Sequence, residues 1–503
     1  MTQSTNTVSP SPATQSPEYQ KALAWLESGP KRLLIGGQWV DAQSGKTFDV
    51  VNPSTEKVLT RIAEADSADI DLAVIAARRA FEARTWTGIS PHQRTRLLLK
   101  IADAVEANAQ ELAVLEALDM GAPLSACVPR ATQTAEIFRY YAGWPTKVHG
   151  STNPMDADRF QYMLREPMGV CALINAWNMP MVMAANKIAP ALAFGNTAIL
   201  KPGEQAPLTT MRLAEIIHEV GIPPGVLNIV PGYGATAGAA MAAHMDVDKI
   251  AFTGSTAVGR QVLTASTGNM KRVTLELGGK SPNIIFPDAD LDKAVQSAVD
   301  TFCRNSGQIC SAGTRLFVHE SLHDEVTERV TRLAATYKVG SPFDADTKLG
   351  PLISKRQMDS VLGYIEAGRG SGAALSLGGS RRGNVGFFIE PTVFSSVSNA
   401  MKIAREEIFG PVLSVIPFKD EEDAIFQGND NEYGLAAAVW TKDVGRAHRV
   451  ARALKAGRVW INTYAEGDPV MSFGGYKQSG YGRELGAESM EAFTQTKSVL
   501  LRL

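Results

Sequence analysis

Five hundred and three residues exceed what one hydrophobic core fills, because single cores stop growing near roughly 250–300 residues, so at least two domains are predicted. The chain is 45% hydrophobic and 20% charged, with 44 Gly and 26 Pro, which excludes fibrous and wholly disordered classes. Its 50 basic and 52 acidic residues leave a formal charge of −2 and no global field to hold nucleic acid or an anionic membrane surface, so a small-molecule ligand is expected.

Residues 1–17 are almost all Ser, Thr, Pro and Gln, with no basic residue before Lys21 and no apolar run, which predicts a disordered tail over 1–20 and no targeting signal. From Arg32, LLIGGQWV and TFDVVNP read as a short β meander, and 68–141 as long amphipathic helical stretches. The apolar run 167–185 carries Asn175, Asn178 and two prolines, so it reads as buried core and not as a membrane span. GVCALINAW and NTAILKP read as strands, PLTTMRLAEIIHEVG as a helix stopped by Gly221, and GVLNIVPG and DKIAFTG as further strands. Strands alternating with helices at this spacing predict a doubly wound parallel sheet. Past Leu277 the pattern restarts with SPNIIF, a helix near 291–304, a Gly-rich turn and the strand TRLFVHE, which predicts a second α/β domain with its boundary near 277–280.

Cysteines 127, 171, 303 and 310 are too few for a disulfide scaffold and form no zinc-type spacing, so no metal and a reducing cytoplasm are expected. Cys310, in SGQICSAGTR, sits in a turn between Gly307 and Gly313, where an exposed thiol is a nucleophile and a buried one merely a small hydrophobe. Cys171 and Cys303 take the second reading. FTGSTAVGR puts Gly254 at a strand end and Gly259 in the first turns of a helix, which suits a phosphate but also plain packing. Glu276 interrupts an apolar strand ahead of two glycines, a place for either a functional carboxylate or a structural ion pair. Asn178, before Met179 and Pro180, is a turn former or an oxyanion donor, and Lys201 and Glu204 close a strand.

AWNMP, ILKPGEQAPLT, FTGSTAVGR, LELGGKSPNI, SGQICSAGTR, EEIFGPV, GRVWIN and FGGYKQSGYGRE, in this order, resemble the aldehyde dehydrogenase superfamily from about Arg32 to Leu503. The resemblance implies an NAD-dependent enzyme that oxidises an aldehyde to its acid through a thioester. It assigns Cys310 as nucleophile, Asn178 with the Cys310 amide as oxyanion hole, Glu276 as general base, and Lys187 as a lysine behind the site. For the cofactor it implies Lys201 and Glu204 at the adenosine ribose, Gly254, Ser255 and Gly259 at the pyrophosphate, and Glu407 and Phe409 at the nicotinamide end, with Trp177 and Leu277 alongside. Glu204 beside a 2′-hydroxyl implies NAD over NADP.

The implied division is 21–146 and 168–277 for NAD binding, 278–480 for catalysis, and 147–167 with 481–503 as a small β oligomerisation element, giving a homodimer or homotetramer. RFQYMLREP and KSVLLRL are its candidate strands. Ala176 and Ser472 stand where the family commonly has proline, which bears on loop shape only. By position, Met179, Met183, Asn186, Arg304, Ile309, Ser311, Ala465, Gly467 and Phe473 are the candidate substrate residues. Met, Ile and Phe suggest an apolar channel for a medium-chain, aromatic or terpenoid-like aldehyde. Arg304 suggests instead a partner for a semialdehyde carboxylate, against a solvated helix residue. Two further readings compete with hydrolytic oxidation: a CoA-acylating enzyme, in which a base at the Glu276 position is often absent, and a structural protein that keeps the fold without turnover.

Overall fold

The computed structural model of the protein describes residues 12–503. Two large sheets organise the chain. The first runs, in spatial order, Gln38–Val40, Leu33–Ile35, Leu227–Ile229, Thr197–Lys201, Val170–Ile174, Lys249–Thr253, Arg272–Glu276 and Gly480–Tyr481. Its five central strands are parallel and its edge strands antiparallel. Val170–Ile174, Thr197–Lys201 and Lys249–Thr253 are buried at every position, as parallel strands covered on both faces must be. Alternate residues face opposite ways: Leu173, Leu200 and Ala251 join the core under helices Pro180–Ala193 and Leu208–Glu219, whereas Ala172, Ile199 and Ile250 meet helix Ser67–Glu82.

The second sheet runs Ala374–Leu377, Thr392–Ser395, Val412–Phe418, Arg315–His319, Pro282–Ile285, Ala436–Trp440 and Arg458–Ile461, parallel except for its first pair. A third, antiparallel sheet joins Ser151–Asn153, Arg159–Pro167 and Thr494–Arg502. This is the α/β class expected from the alternation of strands and helices, with a small β element beside it. No described helix is long and apolar enough to cross a membrane.

The helical stretch expected over 68–141 resolves into Ser67–Glu82, Pro91–Ala107, Ala109–Asp119 and Leu124–Ala142. Asp66 and Ser90 open the first two with reciprocal capping boxes, which satisfy amides that a helix start leaves unpaired.

The tail expected over 1–20 needs correcting. As far as residue 11 it lies outside the described residues, but Pro12–Gln15 form a turn of 3-10 helix and Pro17–Glu27 an α-helix. Composition suggested disorder because nothing local opposes it. Tertiary contacts do: Ser16 caps the helix through the Tyr19 amide, Ala22 and Leu26 are buried, and Trp25 Nε1 donates to Glu215 at 2.7 Å.

Asn196, wholly buried, ties the first sheet to the chain's C-terminal segment. Its Oδ1 accepts from the Gly169 amide at 3.0 Å, and its Nδ2 donates to the carbonyls of Ala191 at 3.2 Å and Phe493 at 3.0 Å. Each buried group left unpaired costs about 1–3 kcal/mol. Asn196→Ala is therefore expected to lose about 2–4 kcal/mol in urea unfolding, and a loss below about 1 kcal/mol contradicts this bracing role.

Candidate active site

The carboxyl ends of the first sheet's parallel strands carry most of the sequence-predicted residues, the place where open α/β sheets bind ligands. Val170–Ile174 leads into Asn175–Asn178, Thr197–Lys201 ends on Lys201, Lys249–Thr253 leads into Gly254 and Ser255, and Arg272–Glu276 ends on Glu276. The second sheet contributes loops at the amino ends of its strands: Cys310 precedes Arg315–His319, and Glu407 and Phe409 precede Val412–Phe418.

These loops meet around a pocket of ≈ 210 Å³ lined by Trp177, Asn178, Met183, Gly254, Ser255, Glu276, Leu277, Cys310, Glu407 and Phe409. The two glycines after Glu276 make the meeting possible. A Cβ on Gly278 would overlap the Glu407 carboxylate, and one on Gly279 the Cys310 carbonyl oxygen. The Gly279 amide donates to Glu407 Oε1 at 3.1 Å, so the same backbone that makes room also holds the carboxylate. The Trp177 and Phe409 rings meet edge to face, centroids 5.3 Å apart, and form one wall.

The Cys310 loop is wound tightly. Asn305, Ser306 and Gly307 are consecutive left-handed residues, at φ 55°, 54° and 75°. At Gly307 a side chain would run into the Gly410 carbonyl. Further on, Tyr464 Oη donates to the Ser311 carbonyl at 2.9 Å. Asn178 Nδ2 donates to the Gln308 carbonyl at 2.9 Å, which fixes the amide plane and leaves its second N–H for the pocket.

Burial disfavours the charged form of each acidic group in the site. Burial pushes the Cys310 thiol up to about 12, and the Glu407 and Glu276 carboxylates add to this, while the Ser311 and Cys310 amides oppose it. Burial, then the neighbouring Glu484 carboxylate, raise Glu276 well above the usual carboxylate range, against Lys187, Arg483 and Arg458. Neither Glu276 carboxylate oxygen has a hydrogen-bond partner. Glu407 rises to about 7 through burial, opposed by the Gly279 amide and Lys280.

Several predicted residues fall outside this pocket's lining. Lys187 is fully buried behind it, donating to Thr253 Oγ1 at 2.6 Å and pairing with Glu484. Lys201 and Glu204 form their own pair at 3.1 Å. Gly259 lets helix Thr256–Ala265 lie against Leu277, where a Cβ would come within 2.6 Å of Leu277 Cδ2. Ile309 and Ser311 flank Cys310 in sequence, and Met179 precedes helix Pro180–Ala193. Phe473 lies under the Arg458 guanidinium, 5.1 Å from its ring centroid.

Arg304 and Ala465 line a different cleft of ≈ 830 Å³ together with Asp292, Asp300 and Glu466. Arg304 is exposed as the C-cap of helix Leu291–Cys303, so it is the solvated helix-end residue and not part of the cysteine pocket. Gln357 was missed by sequence reasoning, although it lines the pocket and its Nε2 donates to the carbonyls of Ile408 at 3.2 Å and Phe409 at 2.9 Å. A polar residue in an amphipathic helix gave no signal for it.

The residues present fit a dinucleotide. The buried Lys201 ammonium and the Glu204 carboxylate together offer a donor and an acceptor for ribose hydroxyls. The start of helix Thr256–Ala265, capped by Ser255, offers free amides for phosphate.

The chain matches the aldehyde dehydrogenase family model over residues 39–499. It is 49% identical over 475 residues to an aldehyde dehydrogenase of Davidiella tassiana, covering 94% of this chain and 96% of the relative. With the mitochondrial aldehyde dehydrogenase of Homo sapiens it shares 48% over 475 residues, covering 94% and 92%. An NAD+ complex of the Bacillus cereus aldehyde dehydrogenase superimposes with a TM-score of 0.95 at 46% identity, covering 97% and 99%. The indole-3-acetaldehyde dehydrogenase of P. syringae, solved as a mutant with NAD+ and IAA, does so with 0.94 at 44%, covering 97% and 99%.

With the Cys310 thiol at about 12, only a small thiolate fraction exists at neutral pH, and that fraction grows about tenfold per pH unit until the pKa is approached. Iodoacetamide labelling of Cys310 in the ligand-free protein, followed by peptide mass spectrometry, is expected to accelerate about tenfold per unit from pH 7 to 9, with buried Cys127, Cys171 and Cys303 unlabelled. A plateau by pH 8 contradicts it.

Proposed function

This chain belongs to the aldehyde dehydrogenase family, whose general reaction is NAD-dependent aldehyde oxidation, and we propose that Cys310, Asn178 and Glu276 carry that reaction here. The supporting observation is that a thiol, an amide donor and a carboxylate share one pocket of ≈ 210 Å³.

The Cys310 thiolate attacks the aldehyde carbon: a C–S bond forms and the carbonyl π pair moves to oxygen. The second N–H of Asn178 and the Cys310 amide stabilise that oxyanion, where one good donor is worth about 10²- to 10³-fold in rate. NAD held by the residues named below would supply the hydride acceptor. Loss of hydride with its electron pair from the Cys310 adduct would leave the aldehyde carbon as a thioester on Cys310. Glu276 then takes a proton from a water that adds to the thioester, the C–S bond breaks, and the acid departs with the thiolate restored. The presence of Glu276 favours water over coenzyme A as acyl acceptor. Trp177 and Phe409 shape the site for the nicotinamide, Glu407 and Leu277 flank it, Gly254, Ser255 and Gly259 serve the pyrophosphate, and Lys201 and Glu204 the adenosine ribose. Glu204 would repel a 2′-phosphate, which supports NAD over NADP; a higher kcat/KM with NADP would overturn this preference.

For the substrate we propose a medium-chain, aromatic or terpenoid-like aldehyde. Among the described residues that line the cysteine pocket there is no Lys or Arg to pair with a substrate carboxylate. Each buried CH₂ contributes about 0.8 kcal/mol, so an apolar chain against Met183 and Trp177, with Met179, Ile309 and Phe473 as further candidates outside the pocket's lining, gains affinity that acetaldehyde lacks. The relative that acts on indole-3-acetaldehyde supports an aromatic substrate.

The division proposed is 21–146 with 168–277 for the cofactor, 278–480 for catalysis, and 147–167 with 481–503 for assembly. Phe160, Leu164, Leu500 and Leu501 leave apolar surface on the third sheet, whose strand Thr494–Arg502 is an edge, and this supports a homodimer or homotetramer. A native mass equal to one chain contradicts it. Four unpaired cysteines support a reducing compartment such as the cytoplasm, checked by cell fractionation.

Cys310→Ala is expected to abolish NADH formation while NAD affinity stays within about twofold, because the thiol makes the covalent bond and not the cofactor site. Glu276→Gln is expected to keep a rapid NADH burst and lose about 10²-fold or more in steady turnover. A lost burst with unchanged steady rate overturns the base assignment.

Steady-state kcat/KM for hexanal and an aromatic aldehyde is expected to exceed that for acetaldehyde and succinic semialdehyde by about tenfold or more, and Arg304→Leu is expected to leave the order unchanged. Preference for the semialdehyde, abolished in Arg304→Leu, overturns the apolar reading.

A further inference from the structure

Glu116, on helix Ala109–Asp119, and Arg130, on helix Leu124–Ala142, form an ion pair at 2.8 Å with both side chains buried. Desolvating two charges is expensive, and a buried pair is poor evidence for stability by itself. This one reaches further. The second guanidinium nitrogen, Nη2, donates to Asn305 Oδ1 at 3.0 Å, across 175 residues of sequence. Asn305 is the first left-handed residue of the Cys310 loop. Its Nδ2 donates to the Asn178 carbonyl at 2.9 Å and to the Gln308 carbonyl at 3.2 Å, and the Gln308 carbonyl is also the acceptor that fixes the Asn178 side-chain amide. Burial raises the Glu116 carboxyl above its usual range, opposed first by the Arg130 guanidinium and least by the Met181 amide. Through Asn305 the Glu116–Arg130 pair therefore connects to the Asn178 backbone and to the Cys310 loop.

We propose that Arg130 is a positioning residue for the oxyanion hole: by gripping Asn305 it sets the Asn178 amide and the Cys310 loop relative to one another. Arg130 does not line the pocket around Cys310, and its hydrogen bond to Asn305 is its link to the Cys310 loop. The fork of the guanidinium suits this, since one nitrogen satisfies Glu116 while another points to Asn305, a split that a lysine ammonium on its thinner stem does not reproduce. The inference rests on the assignment of Cys310 and Asn178 made above.

The test is the rate of the NADH burst in the full-length enzyme with hexanal, alongside the NAD dissociation constant and thermal unfolding. Arg130→Lys keeps a cation for Glu116, so it is expected to fold and to bind NAD within about twofold of wild type, yet to slow the burst about tenfold or more, because misplacing a reacting group by about 1 Å costs up to about 10²-fold. Asn305→Ala leaves the ion pair intact and is expected to slow the burst similarly. Combined with Asn178→Ala, Asn305→Ala is expected to add less than about twofold to the loss from Asn178→Ala alone, since the donor it positions is already gone. Full additivity, or a wild-type burst in both Arg130→Lys and Asn305→Ala, overturns the positioning role while Asn178→Ala still reports on the oxyanion hole. If Asn178→Ala alone leaves the burst unchanged, the oxyanion assignment and this inference fall together.

Discussion

The site depends on how closely two stretches of backbone approach at Gly278 and Gly279. One stretch leaves the carboxyl end of a strand in the first sheet, and the second carries Cys310 and Glu407 on loops of the second sheet. A Cβ at Gly279 would strike the backbone carbonyl of Cys310 and one at Gly278 would displace the Glu407 carboxylate, so the approach of the Cys310 loop to the strand end is set by the absence of side chains as much as by those present. Steric room is a sharper constraint than any hydrogen bond here, because repulsion rises steeply over a few tenths of an ångström whereas a hydrogen bond tolerates more.

That closeness has an electrostatic cost. Three groups that gain negative charge as pH rises, Cys310, Glu276 and Glu407, are crowded into one poorly solvated space where burial resists the ionisation of each, and the two carboxylates add to that resistance at the thiol. The amides of Gly279, Ser311 and Cys310 are the opposing dipoles and are fixed by the fold. In such a site, positive charge or aligned dipoles favour the ionised forms. Lys187 and Glu484, behind Thr253, form a balanced pair whose ammonium favours the Glu276 carboxylate and whose own carboxylate opposes it.

Much of this was legible in sequence, for a physical reason. Cys310, Glu276 and Asn178 stood out as candidates within motifs that resemble the family, and the fold brings all three to one pocket. The two-sheet class was legible too, because buried parallel strands leave unbroken apolar runs such as Val170–Ile174. Arg130 was not, since its partner Asn305 lies 175 residues away and the charge on helix Leu124–Ala142 looks like any surface arginine until the helix is packed. Helix Pro17–Glu27 was hidden in the same way: its sequence is weakly patterned, and it is Trp25 and Leu26 meeting distant residues that order it. Arg304 drew attention as a charge near the nucleophile in sequence, but the left-handed turn at 305–307 separates it from the cysteine pocket.

The chain does not leave the first sheet for good at residue 277. After building the second sheet it returns, pairing Gly480 and Tyr481 with Glu276 and Leu275, joining the Leu277 amide to the Ser479 carbonyl, and finally laying Thr494–Arg502 along Arg159–Pro167. A fragment ending at Leu277 would therefore expose strand Arg272–Glu276 as a bare edge and strip Arg159–Pro167 of its nine-residue mate. The two halves are thus not interchangeable modules: a recombinant chimera that swaps everything before 278 between relatives must carry the segment from Ser479 onward with it, or its seam will run through the middle of two sheets.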